Sequence, residues 1–140
     1  MATKTTATWT DGMSFDVELH GHTFAVDADE KFGGRKRGPR PKALLLSSLA
    51  GCTGMDVVSL LGKMKVPFDS LRLEVEGELG EDHPKVYTAI RIRYILSGAE
   101  LDRGKIEKAV NLSLEKYCGV AAMLGKTARI SHEILLNPAD

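Results

Sequence analysis

Cysteine is scarce in this chain of 140 residues: it has two, Cys52 and Cys118. Net charge is missing altogether, because 19 Lys and Arg balance 19 Asp and Glu. Nothing global therefore points to nucleic acid or to an acidic membrane surface. Residues 1–9, MATKTTATW, lack the apolar stretch of a signal peptide. The longest apolar run, Leu44 to Leu61, is interrupted by Ser47, Ser48, Asp56 and Ser59, which makes it a poor membrane span. A cytoplasmic protein is expected, in which a disulfide would be transient and catalytic or sensory, not permanent. The four histidines, His20, His22, His83 and His132, show no paired spacing. Neither they nor the cysteines form a short metal-ligand motif, so no metal and no cofactor is expected. Internal repeats and low-complexity tracts are also absent.

What is present is the material of a core. Hydrophobic residues make up 43% of the chain and charged residues 27%, which suits one soluble domain over residues 1–140. Thr3 to Thr10 is β-prone. Phe15, Val17 and Leu19 alternate with polar residues, and Phe24 and Val26 follow Gly21, which reads as a hairpin. Residues 28–40 read as a loop. A helix is expected from Pro41 to about Lys65, with the proline in its first turn. Its apolar residues cover nearly the whole circumference, so it should be buried, in part by a second subunit. Two half-buried antiparallel strands follow, Leu71–Leu79 and Val86–Tyr94, joined at Glu81–Pro84. Asp102 is a candidate N-cap for a helix whose Ile106, Val110, Leu114 and Cys118 share one face. Gly119 should break that helix, a short helix should span Val120–Lys126, and a last strand should carry Ala128 to Leu136. The order is an α+β pattern.

Several other features bear on the chemistry. The cluster Arg35-Lys-Arg-Gly-Pro-Arg40 has no interleaved aromatics; a solvated loop fits it better than a nucleic-acid footprint. Gly119–Thr127 imitates a phosphate-binding loop but has five residues between its glycines and follows no strand. Gly125 is more simply a helix C-cap. Asp56 lies one turn after Cys52 on the same face and reads as a structural hydrogen-bonding residue at a subunit interface, because a carboxylate there would oppose a thiolate. His132 reads as a core or interface residue.

Both cysteines sit in longer motifs. The first runs from Gly38-Pro-Arg-Pro41 through a Leu-rich helix to Gly51-Cys52-Thr53 and Asp56-Val-Val58. The second is Ser113-Leu-Glu-Lys-Tyr-Cys118-Gly-Val-Ala121. In these motifs and in element order the chain resembles the OsmC/Ohr family, the osmotically inducible and organic hydroperoxide resistance proteins, and most closely its broad OsmC-like branch. The resemblance implies an OsmC-like α+β fold, with antiparallel sheets packed around a long central helix carrying Cys52, in an intertwined homodimer. It implies a thiol-dependent peroxidase that reduces organic hydroperoxides in oxidative stress defence. Cys52 would be the peroxidatic thiol and Cys118 the resolving one, with a dithiol reductant of lipoyl or thioredoxin-like type. Leu45, Leu49, Met55 and Tyr117 would line the substrate pocket. No nucleic acid and no membrane is implied as partner.

Those roles suit the chemistry. Only a thiolate attacks the O–O bond, and the sulfenic acid must meet a second thiol before it over-oxidises. An apolar pocket disfavours the thiolate, so a cation is needed beside it. The family's peroxidases use an Arg from the N-terminal strands, oriented by a Glu ten residues before the first cysteine. Here that position is Lys42, and residues 1–32 hold no Arg. The candidate replacements are Arg35, Arg37, Arg40 and Lys42. The alternative function is a non-catalytic relative that binds a small lipophilic ligand at the dimer interface.

Overall fold

A computed structural model describes residues 1–139. The chain divides into two compact units, Met1–Leu45 and Leu46–Asp140.

The first unit is an antiparallel three-stranded meander, β1 (Thr6–Asp11), β2 (Ser14–Leu19) and β3 (His22–Val26). His20 and Gly21 join β2 to β3, both with positive φ, as a two-residue hairpin turn requires. The segment after β3 contains a 3-10 turn, Glu30–Phe32, and is tied back when the Asp27 N–H bonds the Pro39 carbonyl at 3.0 Å. Gly38 lies so near the Ala25 carbonyl that no β-carbon fits there, which explains the glycine of the Gly-Pro-x-Pro motif. A second 3-10 turn, Pro41–Ala43, with Pro at its start, leads into the first α-helix.

That helix, α1, spans Leu44–Lys63. It is followed by β4 (Ser70–Leu79), β5 (Tyr87–Ser97), α2 (Arg103–Leu112), α3 (Gly119–Leu124) and β6 (Arg129–Leu136). The second sheet has the order β4-β5-β6. Its β4–β5 pair is antiparallel, with Leu73 opposite Tyr94 and Val75 opposite Ile92. One departure from the expected antiparallel sheets is that β6 runs parallel to β5. The chain reaches it by the crossover through α2 and α3, the connection that parallel strands need.

The core of this unit gathers Leu49, Val57 and Leu61 from α1, Ile90, Ile92, Tyr94 and Leu96 from β5, and Ile106, Ala109 and Val110 from α2. A β-carbon at Gly54 would lie 3.3 Å from Leu73 Cδ1, so the absent side chain lets α1 settle onto β4. On the outer face Arg93 bonds Glu133 at 2.7 Å and approaches Glu74 at 3.7 Å. The β4–β5 register shifts between Glu78 and Leu79. That shift turns Tyr87 into the core and leaves Val86 exposed, the reverse of simple alternation.

Within the single chain α1 is buried on part of its circumference only. Leu45, Met55 and Val58 are 44%, 74% and 48% exposed in the single chain. The segment Pro41–Lys63, whose most apolar 18-residue stretch has mean hydropathy 1.7, also has the length and composition of a membrane span, despite its polar interruptions. Two of its polar residues, Thr53 and Asp56, bond to Tyr94 and Ser113 within the second unit, an arrangement that belongs to a core helix.

Candidate active site

Cys52 and Cys118 are neighbours, near enough for a hydrogen bond with Cys52 to act on the Cys118 thiol. Cys52 is half-buried on α1, while Cys118 is only 3% exposed. The helix carrying Cys118 does not end as the sequence suggested. After α2 comes a wide π-type turn, Ser113–Tyr117, in which the Cys118 N–H bonds the Ser113 carbonyl five residues back at 2.7 Å. Cys118 then leaves helical geometry (φ −78°, ψ 101°) and becomes the N-cap of α3. The break therefore falls on Cys118, and Gly119 opens the next helix. Cys118 Sγ accepts a hydrogen bond from the Ala121 N–H at 3.4 Å. Wide turns of this kind are frequent at functional sites.

Burial pushes the Cys118 thiol up to about 11, against the opposing pull of the Ala121 N–H. A hydrogen bond with Cys52, and the charge Cys52 would carry, raise it further. That is the sense expected when the Cys118 S–H donates to the Cys52 sulfur. Cys118 is thus held as a thiol, and the two sulfurs are distinguished by setting.

Beneath them lies a buried polar chain. Thr53, next to Cys52, bonds through Oγ1 to the Tyr94 hydroxyl at 2.7 Å and to Ser113 Oγ at 2.7 Å. Ser113 donates to Asp56 Oδ2 at 2.8 Å. Thr53, Tyr94 and Ser113 are fully buried, and Asp56 is half-buried. Asp56 therefore makes its structural bond within its own chain. Burial pushes the Tyr94 phenol up to about 12, opposed by the Thr53 hydrogen bond and reinforced by the charges of Cys118 and Asp56. Tyr94, Thr53 and Ser113 were not singled out from the sequence. The available signal was the spacing of Thr53 and Asp56, which share a helix face. His132 is exposed, not core, and its ring stands edge-on to Tyr94 at 6.2 Å.

The four candidate cations lie in the first unit or at its end. Arg35 and Arg37 both reach Asp11 Oδ2, at 3.0 and 3.4 Å, and Arg40 reaches Asp29 at 2.9 Å. Lys42 sits exposed in the second 3-10 turn. Asp27, missed in the sequence, organises this basic segment: its carboxylate accepts from the N–H groups of Ala28, Arg35 and Arg37 at 2.8, 2.9 and 3.3 Å. The Arg35 N–H foremost holds its pKa below the usual carboxylate value, against the effect of burial. Of the pocket candidates, Leu45, Met55 and Tyr117 are exposed, at 52% for Tyr117. Leu49 is fully buried in the core and is not an open wall of the single chain. An apolar hollow of about 590 Å³ runs along α1 and β4, among Gly51, Gly54, Met55, Val58, Phe68 and Leu73. Among the described residues, no group of three His, Cys, Asp or Glu could hold a metal ion.

Residues 33–133 match the family model described as OsmC-like protein. The chain belongs to the OsmC-like family. Among its relatives is Protein YhfA of Escherichia coli K12, 33% identical over 125 residues, covering 89% of this chain and 90% of that one. A crystal structure of a hypothetical protein from Aquifex aeolicus VF5 superposes with a TM-score of 0.83 at 28% identity, over 99% of both chains. The organic hydroperoxide resistance protein OhrB of Bacillus subtilis shares the fold, with a TM-score of 0.65 at 19% identity over 96% of this chain and 98% of that one. The OsmC-like α+β fold, with a long helix carrying Cys52, is thereby established.

Proposed function

We propose that this OsmC-like protein is a thiol-dependent peroxidase that reduces organic hydroperoxides through Cys52 and Cys118 in oxidative stress defence. The observation that carries the reading is the nearness of two thiols in unequal settings: Cys52 is half-buried, while Cys118 is buried, its thiol pushed up by burial and by Cys52. The Cys52 thiolate attacks the peroxide, taking one oxygen as Cys52–SOH and releasing the alkoxide, which leaves as the alcohol. The Cys118 sulfur then displaces hydroxide from Cys52–SOH to form a disulfide and water. A dithiol donor, lipoyl or thioredoxin-like, reduces the disulfide and is itself oxidised.

The remaining parts of the reading are supplied by the chain's own residues. One of Arg35, Arg37, Arg40 and Lys42 stabilises the Cys52 thiolate. The protein acts as a homodimer in the cytoplasm. Its exposed α1 face, with Leu45, Met55 and Val58, is covered by the second copy, and Leu45, Met55 and Tyr117 line the substrate pocket with Leu49 beneath them. The large apolar surface left on α1 supports this, since exposed apolar patches of this kind mark interaction sites.

The test is a peroxidase assay with cumene hydroperoxide and dihydrolipoamide. Turnover that disappears in Cys52→Ser is expected. Turnover unchanged by that substitution would exclude the mechanism. No turnover, together with tight binding of a lipophilic probe along the apolar hollow, would establish the non-catalytic binding alternative instead.

A further inference from the structure

The two cysteines come from elements far apart in the chain. Cys52 stands on α1, where regular helix geometry holds it. Cys118 lacks that support, because it has left helical geometry between α2 and α3. Its backbone is held by two main-chain bonds. Its N–H donates to the Ser113 carbonyl at 2.7 Å, and its carbonyl accepts from the Ala122 N–H at 3.1 Å. Neither bond involves α1. A disulfide needs its two Cα atoms about 4.4–6.8 Å apart, so the place of the turn against α1 has to be set by other contacts.

Ser113 makes them. Its side chain is fully buried, and its hydroxyl bonds to α1 twice. Ser113 Oγ donates to Asp56 Oδ2 at 2.8 Å and pairs with Thr53 Oγ1 at 2.7 Å. A carboxylate only accepts, and a hydroxyl has one proton. Ser113 therefore accepts from Thr53, and Thr53 in turn accepts from the Tyr94 hydroxyl at 2.7 Å. The Tyr94 bond keeps the Thr53 proton turned towards Ser113. Thr53 and Asp56 are neighbours on one face of α1, so they grip the serine hydroxyl from two points. A single bond would let Ser113 swing about it; two bonds in different directions do not. Thr53 is also the residue after Cys52. One peptide bond and two hydrogen bonds of 2.7 Å thus lead from Cys52 through Thr53 and Ser113 to the Cys118 N–H.

We propose that Ser113, gripped by Thr53 and Asp56, is the positioning residue that sets Cys118 against Cys52 and thereby stabilises the disulfide between them. The assignment rests on the thiol pairing of the proposed function. The wide turn starts at this serine, so whatever fixes Ser113 on α1 fixes Cys118 with it. Two thiols held close behave as if each met the other at a high effective concentration, and their disulfide then resists reduction by a small thiol. In exchange with glutathione the two protein thiols lose two electrons and two protons. One oxidised glutathione takes them up, and the products are the protein disulfide and two reduced glutathiones. Ser113, Thr53 and Asp56 form and break no covalent bond in this exchange.

The effect can be read without peroxide. Full-length protein is equilibrated near neutral pH with glutathione at a series of reduced-to-oxidised ratios. The Cys52–Cys118 disulfide is then counted by mass after alkylation. Ser113→Ala removes both bonds to α1, and Thr53→Val removes one. Each should lower the equilibrium constant for the disulfide at least about tenfold, which is about 30 mV in potential, with the larger loss in Ser113→Ala. Thr53→Ser keeps the hydroxyl and should restore the constant to within about threefold of wild type. Gly77→Ala, whose new β-carbon would press on Tyr87 and Leu46, should lose stability and leave the constant unchanged. That control separates positioning from a general loosening of the fold. If one of Ser113→Ala and Thr53→Val does not fold, the other decides. A constant that is unchanged or raised in those variants, or lowered as much in Thr53→Ser or Gly77→Ala, would overturn the positioning role alone. No disulfide in wild type at any ratio would overturn the thiol pairing and the positioning role together. The expected shifts without any peroxide turnover would leave the positioning role standing and remove the peroxidase.

Discussion

Gly77 lies against the ring of Tyr87: a β-carbon at Gly77 would sit 2.6 Å from Tyr87 Cδ1 and 3.0 Å from Leu46 Cδ2. Tyr87 is there because the register shift after Glu78 turns it inward. Gly77→Ala must displace a buried ring, and overpacking of this kind costs about 1–3 kcal/mol. Denaturant unfolding should show that loss in Gly77→Ala, and Tyr87→Leu in the same chain should recover part of it.

The Thr53 hydroxyl serves two buried partners at once. Thr53→Val keeps the shape but strands the Tyr94 hydroxyl and takes away the donor to Ser113. An unsatisfied buried polar group costs about 1–3 kcal/mol. Thr53→Val should therefore lower stability by an amount in that range or above, and Thr53→Ser by clearly less. Thermal unfolding of the two variants side by side checks this.

Alkaline pH should weaken the fold. The folded-state pKa of Cys118 is raised from 9.0 to about 11, chiefly by burial. The unfolded thiol ionises first, so this stabilisation is complete below about pH 9 and is lost as the pH rises towards 11. The Tyr94 phenol, raised from 10.0 to about 12 by burial, extends the decline in the same direction. Unfolding free energy should fall between about pH 9 and pH 11 in wild type, and the slope should be shallower in Cys118→Ala.

Asp27 works in the opposite pH direction. Its folded pKa lies below 3.8, with the Arg35 N–H as the main cause. Its contribution is present above the ordinary carboxylate range and is lost as the pH falls through the folded value. Asp27→Asn weakens the bonds to the N–H groups of Arg35 and Arg37. Trypsin should then cut at Arg35, Lys36 or Arg37 faster than in wild type at neutral pH.

The proposed dimer makes its own demand on α1. Met55 and Val58 are 74% and 48% exposed on the helix in one chain. Met55→Glu or Val58→Glu should convert the dimer to monomer by sedimentation. An unchanged dimer in both variants would place the interface elsewhere.

Much of the fold was legible because its signals are local. The alternation along β4, the Asp102 cap, which accepts from the Lys105 N–H at 3.1 Å, and the Pro at the start of the 41–43 turn all act within a few residues. The misplaced features are those that depend on distant partners. Tyr87 faces inward because of a bulge opposite Leu79, which alternation within β5 cannot reveal. The parallel course of β6 depends on the crossover through α2 and α3. The site divides in the same way. The cysteines announced themselves through their flanking motifs, whereas Thr53, Tyr94 and Ser113 are separated by 41 and 60 positions, and nothing in a hydroxyl's neighbours shows which hydroxyl it will meet.

The wide turn at Ser113–Tyr117 has a consequence for length. Its i to i−5 closure accommodates one residue more than an α-turn would. Removing any single residue between 113 and 117 would let α2 continue regularly, and each residue of an α-helix advances the side chain by about 100°. Cys118 would then close on the Ser113 carbonyl as an ordinary i to i−4 turn and keep nearly its present phase. A single-codon insertion there, in a turn that already holds its extra residue, should instead carry Cys118 round by about 100° and separate the two sulfurs with no substitution at either.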